Sequence, residues 1–219
     1  MLVVFFASLL PGLFWLWYFN RYDVGDKESV ARLAMCMFSG AVAVIPALLW
    51  EAPFRDLLQG SNSPPVQLGL SFLVVGLGEE LCKLIAVYVS SFRSTEFSEH
   101  MDGIIYTIAT AIGFSVVENI LYISAFGLVV APLRGTIATL AHISFSGLAG
   151  YFFGKARFSD QPLPNLATGL GVAALAHGFY DLILVTHLAS PLVLILLIGS
   201  LQYLLFLAIG RARRLASAR

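Results

Sequence analysis

The sequence contains few charged residues. Only 12% of its 219 residues are Asp, Glu, Lys or Arg, whereas 58% are hydrophobic. A soluble domain has about 25% charged and about 45–50% apolar residues. A chain with so little charge cannot cover a folded surface with groups that water solvates, which excludes a soluble globular enzyme and a disordered linker. Its net charge of zero offers no basic face for a nucleic-acid partner. The composition predicts a membrane protein.

Cysteine is rare, and the first 20 residues contain no Lys or Arg. Cys36 and Cys82 both lie in apolar segments without a CxxC partner, so we expect no disulfide framework. A secretory signal would begin with a basic n-region. We therefore expect the first apolar segment to be retained as a membrane helix.

What the sequence has instead is long apolar runs. A helix needs about 20 apolar residues to cross the hydrocarbon core of a bilayer. Seven runs approach this length, at 2–19, 33–50, 66–92, 102–130, 133–153, 166–186 and 188–209. They predict an all-α polytopic bundle of about seven spans that forms a single transmembrane domain over residues 1–219.

The basic residues separate by side of the membrane. Lys and Arg are enriched in cytoplasmic connections. With seven spans, ten basic residues fall on one side: Arg21, Lys27, Arg32, Arg93, Lys155, Arg157, Arg211, Arg213, Arg214 and Arg219. Only Arg55 and Arg134 fall on the other side. This asymmetry predicts an external N-terminus and a cytoplasmic C-terminus.

Four consecutive spans contain polar groups that are costly to bury in lipid. A charged side chain at the centre of a bilayer costs at least about 2.5–3.5 kcal/mol, so a helix that only anchors a protein has none there. The third to sixth spans contain Glu79, Glu80, Lys83, Glu118, Asn119, His142, His177 and Asp181. We interpret these residues as the walls of one shared polar site. Their positions along the spans place it at or slightly outside the midplane, to be reached from the external half.

Spacing within the helices supports this convergence. Lys83 follows Glu79 by four residues and Glu80 by three, which allows an ion pair on one helix face. Because the two glutamates point about 100° apart, we expect that they cannot both pair with Lys83 equally well. His177 and Asp181 are also four apart, and Gly178 between them leaves room for another helix.

Such a group of residues suits hydrolysis within the membrane. Peptide hydrolysis needs a water molecule, a base that activates it, and donors or a metal for the developing oxyanion. Two histidines with acids satisfy Zn²⁺ and leave one Glu free as the base. The sequence has no GxSG, YD…GxGD or HExxH motif, so it lacks the usual serine, aspartyl and zincin signatures. Two other functions stay open: a proton- or cation-coupled transporter, and a non-catalytic binding or immunity protein.

Four sequence boxes resemble the PrsW family of intramembrane proteases, over about residues 70–185. They are GEELCK at 78–83, DGIIY at 102–106 with GFSVVEN at 113–119, Arg134 with His142, and HGFYD at 177–181. The resemblance implies a bacterial plasma-membrane peptidase. Such proteins make the first cut in membrane-bound anti-sigma factors as a stress response begins. The implied partners are therefore a single-pass membrane substrate and the lipid bilayer.

A more distant similarity, to CAAX-prenyl proteases and bacteriocin-immunity membrane proteins, suggests residue roles. It implies that Glu79 is the base and that Glu80 braces the helix through Lys83. His177 and Asp181 would hold the oxyanion. The sequence departs from that wider pattern in having Glu118 where the relatives have a histidine.

That departure leaves a role for His142 and favours a metal. His142 can replace the missing histidine. A site so rich in carboxylates also suits Zn²⁺, with Glu118, His142 and His177 as its expected ligands, and the choice between metal-assisted and metal-free glutamate chemistry stays open at this point.

Other polar residues are expected to have structural roles. We expect Asn119 to brace its helix, and Asp102 and Tyr106 to cap or pack theirs. Arg134 is expected to meet a lipid headgroup or an acid in a loop.

Overall fold

A computed structural model describes residues 1–25, 27–61, 63–186 and 190–216, and this part of the chain is helical and contains no strand. The all-α prediction is confirmed. The start of the seventh run, at 188, lies outside the described residues. In chain order the helices are α1 (Leu2–Asn20), α2 (Val30–Glu51), α3 (Arg55–Gly60), α4 (Pro64–Gly69), α5 (Leu77–Ser91), α6 (His100–Phe126), α7 (Ala131–Leu133), α8 (Thr139–Arg157), α9 (Pro162–Thr186) and α10 (Pro191–Ala216).

The helices form a polytopic membrane bundle. Within the described ranges, six helical segments are long and apolar enough to cross a membrane: Leu2–Asn20, Val30–Leu58, His100–Phe126, Leu128–Arg157, Pro162–Thr186 and Leu192–Leu215. The predicted span at 66–92 is not among them, although the chain is helical from Pro64 to Ser91. It contains Glu79, Glu80 and Lys83, which make it less apolar than the others. Whether it crosses the membrane stays a prediction, as does the orientation of the termini.

Two π-helical segments lead directly into helices that hold site residues. Leu70–Gly76 joins α4 to α5, and Arg134–Ala138 joins α7 to α8. A π-turn frees backbone groups from the regular helical pattern and is frequent at functional sites. In the first segment, the indole N–H of Trp50 donates to the carbonyl of Val74 at 3.0 Å. The end of α2 thus holds the turn that precedes Glu79.

α6 lies at the centre of the bundle, where it packs against α1, α2 and α8. Small residues allow the close contact with α8. A Cβ on Gly103 would lie 2.4 Å from the backbone nitrogen of Gly154, so only glycine permits this approach. Membrane helices commonly pack through small residues in this way. The central position of α6 places its C-terminal half, with Glu118, against several neighbouring helices.

Asp102 and Tyr106 have the structural roles expected of them, and neither cysteine forms a disulfide. The carboxylate of Asp102 accepts the backbone N–H groups of Ser98 and Glu99, at 2.7 and 2.9 Å, which caps the start of α6. Tyr106 is fully buried and donates to an oxygen of the Glu28 carboxyl group. Cys36 and Cys82 are free.

Candidate active site

Five of the eight predicted polar side chains line one cavity of about 640 Å³, and Glu80, Lys83 and Asn119 do not line it. It lies at the end of the bundle where α2, α6 and α9 finish and α5 and α8 begin. Its polar lining includes Glu51, Glu79, Glu118, Arg134, His142, His177 and Asp181, and most of its remaining wall is apolar. The four spans picked out by their polar residues therefore do share one site.

Lys83 holds both glutamates of α5. Its Nζ lies 3.1 Å from Oε2 of Glu79 and 2.8 Å from Oε1 of Glu80. The two contacts differ in length, as expected, yet both are made, because a lysine ammonium has three donors and lies between the two carboxylates. Lys83 is 2% exposed, so its ammonium is compensated by these carboxylates and not by water.

His142 connects α5, α6 and α8. Its Nδ1 lies 3.0 Å from Nζ of Lys83, and its Nε2 lies 2.8 Å from Oε2 of Glu118. The Lys83 ammonium also lies 4.1 Å from the centre of the Phe114 ring, a favourable cation–π position. Both nitrogens of the imidazole are thus engaged, and His142 is fixed between a cation and an anion.

His177 is fixed in a different environment. Its Nδ1 lies 3.0 Å from Oε1 of Glu80. Its Nε2 lies 3.3 Å from Oδ2 of Asp181 and 3.9 Å from Oε2 of Glu79. The hydroxyl of Ser146 donates to the other oxygen of Glu80 at 2.8 Å. His177 is therefore surrounded by three carboxylates.

Close packing and ring stacking hold His177 in place. The ring of Phe145 stacks on it with 4.8 Å between centroids. A Cβ on the next residue, Gly178, would lie 2.5 Å from the Phe72 ring and 2.9 Å from the Phe72 Cα. This confirms that Gly178 allows a close approach, and the approaching segment is the π-helical turn before α5.

Arg134 belongs to the site, contrary to expectation. Its Nη2 lies 3.0 Å from Oε2 of Glu118, and its Nε donates to Oδ1 of Asn119 at 2.9 Å. Its guanidinium lies 4.0 Å from the centre of the Tyr122 ring. The expected contact with a headgroup or loop acid was wrong, because the cavity contains the carboxylate that neutralises Arg134.

Asn119 links α6 to α8 through a small buried network. Its amide nitrogen donates to the hydroxyl of Thr139 at 3.0 Å and to that of Ser115 at 3.4 Å. The same side chain accepts from Arg134. It therefore holds Arg134 and the two helices together one residue after Glu118.

Three further residues line or support the site. Glu51 lines the cavity, although its position directly after the second apolar run indicated the start of an external loop. Tyr122 lines it as well and follows Glu118 by four residues. Ser146 supports Glu80 and follows His142 by four residues, on the same helix face.

The side chains present fit a metal ion. One ligand atom each from Glu79, His142 and His177 lies within 4.8 Å of the others, and all three residues are buried. Nitrogen and carboxylate donors of this kind suit Zn²⁺. In addition, Oδ2 of Asp181 is buried and has no hydrogen-bond partner among the described residues. The acid in this group is Glu79 and not Glu118, which lies between His142 and Arg134.

Known proteins similar to this chain are proteases of one family. Residues 28–209 match the family described as PrsW family intramembrane metalloprotease. The chain is 33% identical to Protease PrsW of Bacillus subtilis (strain 168) over 186 residues, which is 84% of each protein. It is 30% identical to Protease PrsW of Shouchella clausii (strain KSM-K16) over 179 residues, 81% of each. It is 28% identical to Protease PrsW of Clostridioides difficile (strain 630) over 205 residues, 88% of this chain and 84% of the relative. No solved structure matches the chain significantly. The chain belongs to the PrsW family of intramembrane metalloproteases.

Proposed function

We propose that this PrsW-family peptidase makes the first cut in a single-pass membrane protein of the anti-sigma-factor type. The family gives the reaction class and the membrane location. The observation that carries the proposal is a single cavity that is lined by acids, by imidazoles and by apolar side chains. A peptide bond of a membrane-spanning segment is the substrate that such a cavity suits.

The apolar wall fits the side chains of a membrane segment. Val44 and Leu48 of α2 face the cavity, as do Leu121 of α6 and Leu184 of α9. The polar groups lie at the same end of the bundle. With the predicted orientation of the termini, this end is external. We therefore propose that the cut falls near the external end of the span of the substrate.

Glu79 is our candidate for the base that takes a proton from the attacking water. Its carboxylate lines the cavity and is held by Lys83 at 3.1 Å. Lys83 itself does not line the cavity, so it orients Glu79 from the side that faces away from the cavity. A positioned carboxylate of this kind contributes about 10²–10⁴-fold to the rate of a proton-transfer step.

The nitrogen and carboxylate groups around Glu79 give the site its capacity for a metal. A zinc ion held there would polarise the water and the substrate carbonyl. The carboxylates of Glu80 and Glu118 each contact one of the two rings, at 3.0 and 2.8 Å. Carboxylates in such outer positions orient imidazoles and increase their basicity.

Cleavage in cells tests the proposal. The chain is co-expressed with tagged single-pass membrane proteins, including an anti-sigma factor, and the new terminus of any product is sequenced. We expect a single cut near the external end of the anti-sigma-factor span, absent with Glu79→Gln. Glu96→Gln, an exposed acid outside the cavity, is the matched control and should cut normally. A cut in the cytoplasmic part of the substrate, or a cut that persists with Glu79→Gln, would contradict the proposal.

A further inference from the structure

We propose that the two imidazoles of the site have different functions and that Lys83 imposes the difference. His177 is the histidine that binds the metal, and His142 is a hydrogen-bond donor to Glu118 that binds no metal. This division rests on the proposed function of the site. It follows from which groups around each ring can donate and which can only accept.

The groups around His177 leave one of its ring nitrogens able to bind a metal. Its Nδ1 lies 3.0 Å from a carboxylate oxygen of Glu80. Glu80 also receives hydrogen bonds from Lys83 and Ser146, as an ionised carboxylate does. Such a group only accepts, so the hydrogen of the ring is on Nδ1. Metal-binding histidines donate their second N–H to a carboxylate in the same way.

The free lone pair of His177 then points towards acids. Nε2 has Oδ2 of Asp181 at 3.3 Å and Oε2 of Glu79 at 3.9 Å. The Asp181 oxygen is buried, and among the described residues nothing donates a hydrogen bond to it. A lone pair and a carboxylate oxygen that face each other across 3.3 Å need a cation or a proton between them. His177 and Asp181, one turn apart on α9, are therefore the pair to which we assign the metal.

The groups around His142 make its Nε2 a hydrogen-bond donor. Its Nδ1 lies 3.0 Å from Nζ of Lys83. An ammonium only donates, and the three hydrogens of Lys83 are matched by Glu79, Glu80 and this nitrogen. Nδ1 must then accept, and the hydrogen of the ring is on Nε2, which donates to Glu118 at 2.8 Å. In this tautomer no lone pair of His142 is free for a metal.

Lys83 is thus a positioning residue. It fixes the tautomer of His142, so that the N–H of His142 and the Arg134 guanidinium both face the Glu118 carboxylate. His142 is thereby held as a partner of Glu118 and not as a ligand of the metal. His142 lies close enough to Glu79 and His177 to share a metal ion with them. Its hydrogen bonds, however, leave it no lone pair for that role.

Metal affinity tests the division directly. Zinc binding is measured by titration of the purified protein in lipid nanodiscs. We expect Glu80→Gln to weaken zinc binding by about 10–100-fold and His177→Asn by at least as much, whereas His142→Asn changes it less than about twofold. If His142→Asn weakens binding as much as His177→Asn does, or if the wild-type protein binds no zinc, the proposal is wrong.

Nitrogen-15 NMR of the metal-free protein tests the role of Lys83. Among the four histidines, the signals of His142 are identified by their loss in His142→Asn. We expect an unprotonated Nδ1 in the wild type and in Lys83→Arg, whose guanidinium also only donates. Lys83→Met should move the hydrogen to Nδ1 in part or in full.

The NMR result decides the question even if Lys83→Met does not fold. A protonated Nδ1 in the wild type overturns the proposal by itself, and so does an unchanged tautomer in a folded Lys83→Met protein. Because neither zinc titration nor NMR uses a substrate, failure to cleave an anti-sigma factor would contradict the proposed function without affecting either result.

Discussion

The guanidinium of Arg134 lies 3.0 Å from the carboxylate of Glu118, across the turn that separates α6 from α8. The two side chains are only 14% and 17% exposed. The ion pair therefore lies on the wall of the cavity, where it has less water to screen it than a surface pair would. It also fixes the carboxylate that contacts His142.

Loss of Arg134 should impair catalysis more than folding. We expect Arg134→Gln to lower kcat/KM by up to about 100-fold, as the misplacement of a site residue does, because Glu118 would no longer be held against His142. The rate of cleavage in proteoliposomes measures this. Arg55→Gln is the matched control, since Arg55 is exposed at the same end of the bundle. Near-normal activity in Arg134→Gln would show that Glu118 needs no cation.

A pair of glycines on α9 tests the packing that positions His177. A Cβ on Gly178 would collide with Phe72, including its backbone, whereas a Cβ on Gly171 would meet nothing within 4 Å. We expect Gly178→Ala to destabilise the protein by about 1–3 kcal/mol through overpacking and to reduce cleavage. Gly171→Ala should be neutral or stabilising by up to about 1 kcal/mol. Thermal unfolding in detergent and cleavage rates report both effects, and equal behaviour of the two variants would refute the packing argument.

Glu28 predicts a pH dependence of stability at the other end of the bundle. Burial raises the pKa of this carboxyl, which lies before α2, to about 9. The pKa of an unfolded glutamate is about 4.3. Between these values the folded protein binds more protons than the unfolded one, so stability should fall as the pH rises through this window.

The matched variant for this effect is Glu28→Gln. It keeps an oxygen that can accept from Tyr106 but cannot ionise. We expect its unfolding temperature to depend less on pH between 6 and 9 than that of the wild type. Glu96→Gln, which removes an exposed acid, should keep the wild-type slope. An identical slope in Glu28→Gln would show that Glu28 is ionised in the folded protein.

The sequence predicted which helices form the site better than it predicted the contacts within it. Charges in apolar runs are costly in lipid, so Glu79, Glu118 and His177 could be identified without a structure. Partners depend on the rotation of each helix, and the π-helical segments before α5 and α8 alter that rotation without a clear sequence signal. Arg134 begins one of these segments, and its contact with Glu118 was accordingly missed.

The other shortfalls have equally local causes. Glu51 occupies the last position of α2, where an acid is indistinguishable from the start of a polar loop. The pairing of Lys83 with both glutamates depends on the reach of a flexible side chain, which helical spacing alone does not describe. The third run, predicted to cross the membrane, is not among the six helical segments of the described chain that are long and apolar enough to do so. The reason is that Glu79, Glu80 and Lys83, which identify the site, make it less apolar.

The most direct test of the account is cleavage of a single-pass anti-sigma-factor substrate by the purified protein in lipid, with and without a strong chelator. We predict that the wild type cleaves, that the chelator stops cleavage and that zinc restores it. Glu79→Gln should cleave about 10²–10⁴-fold more slowly, whereas Glu96→Gln should behave as the wild type. Cleavage by metal-stripped protein at the full rate would contradict the metal assignment, and cleavage by Glu79→Gln at the wild-type rate would contradict the role of Glu79 as the base.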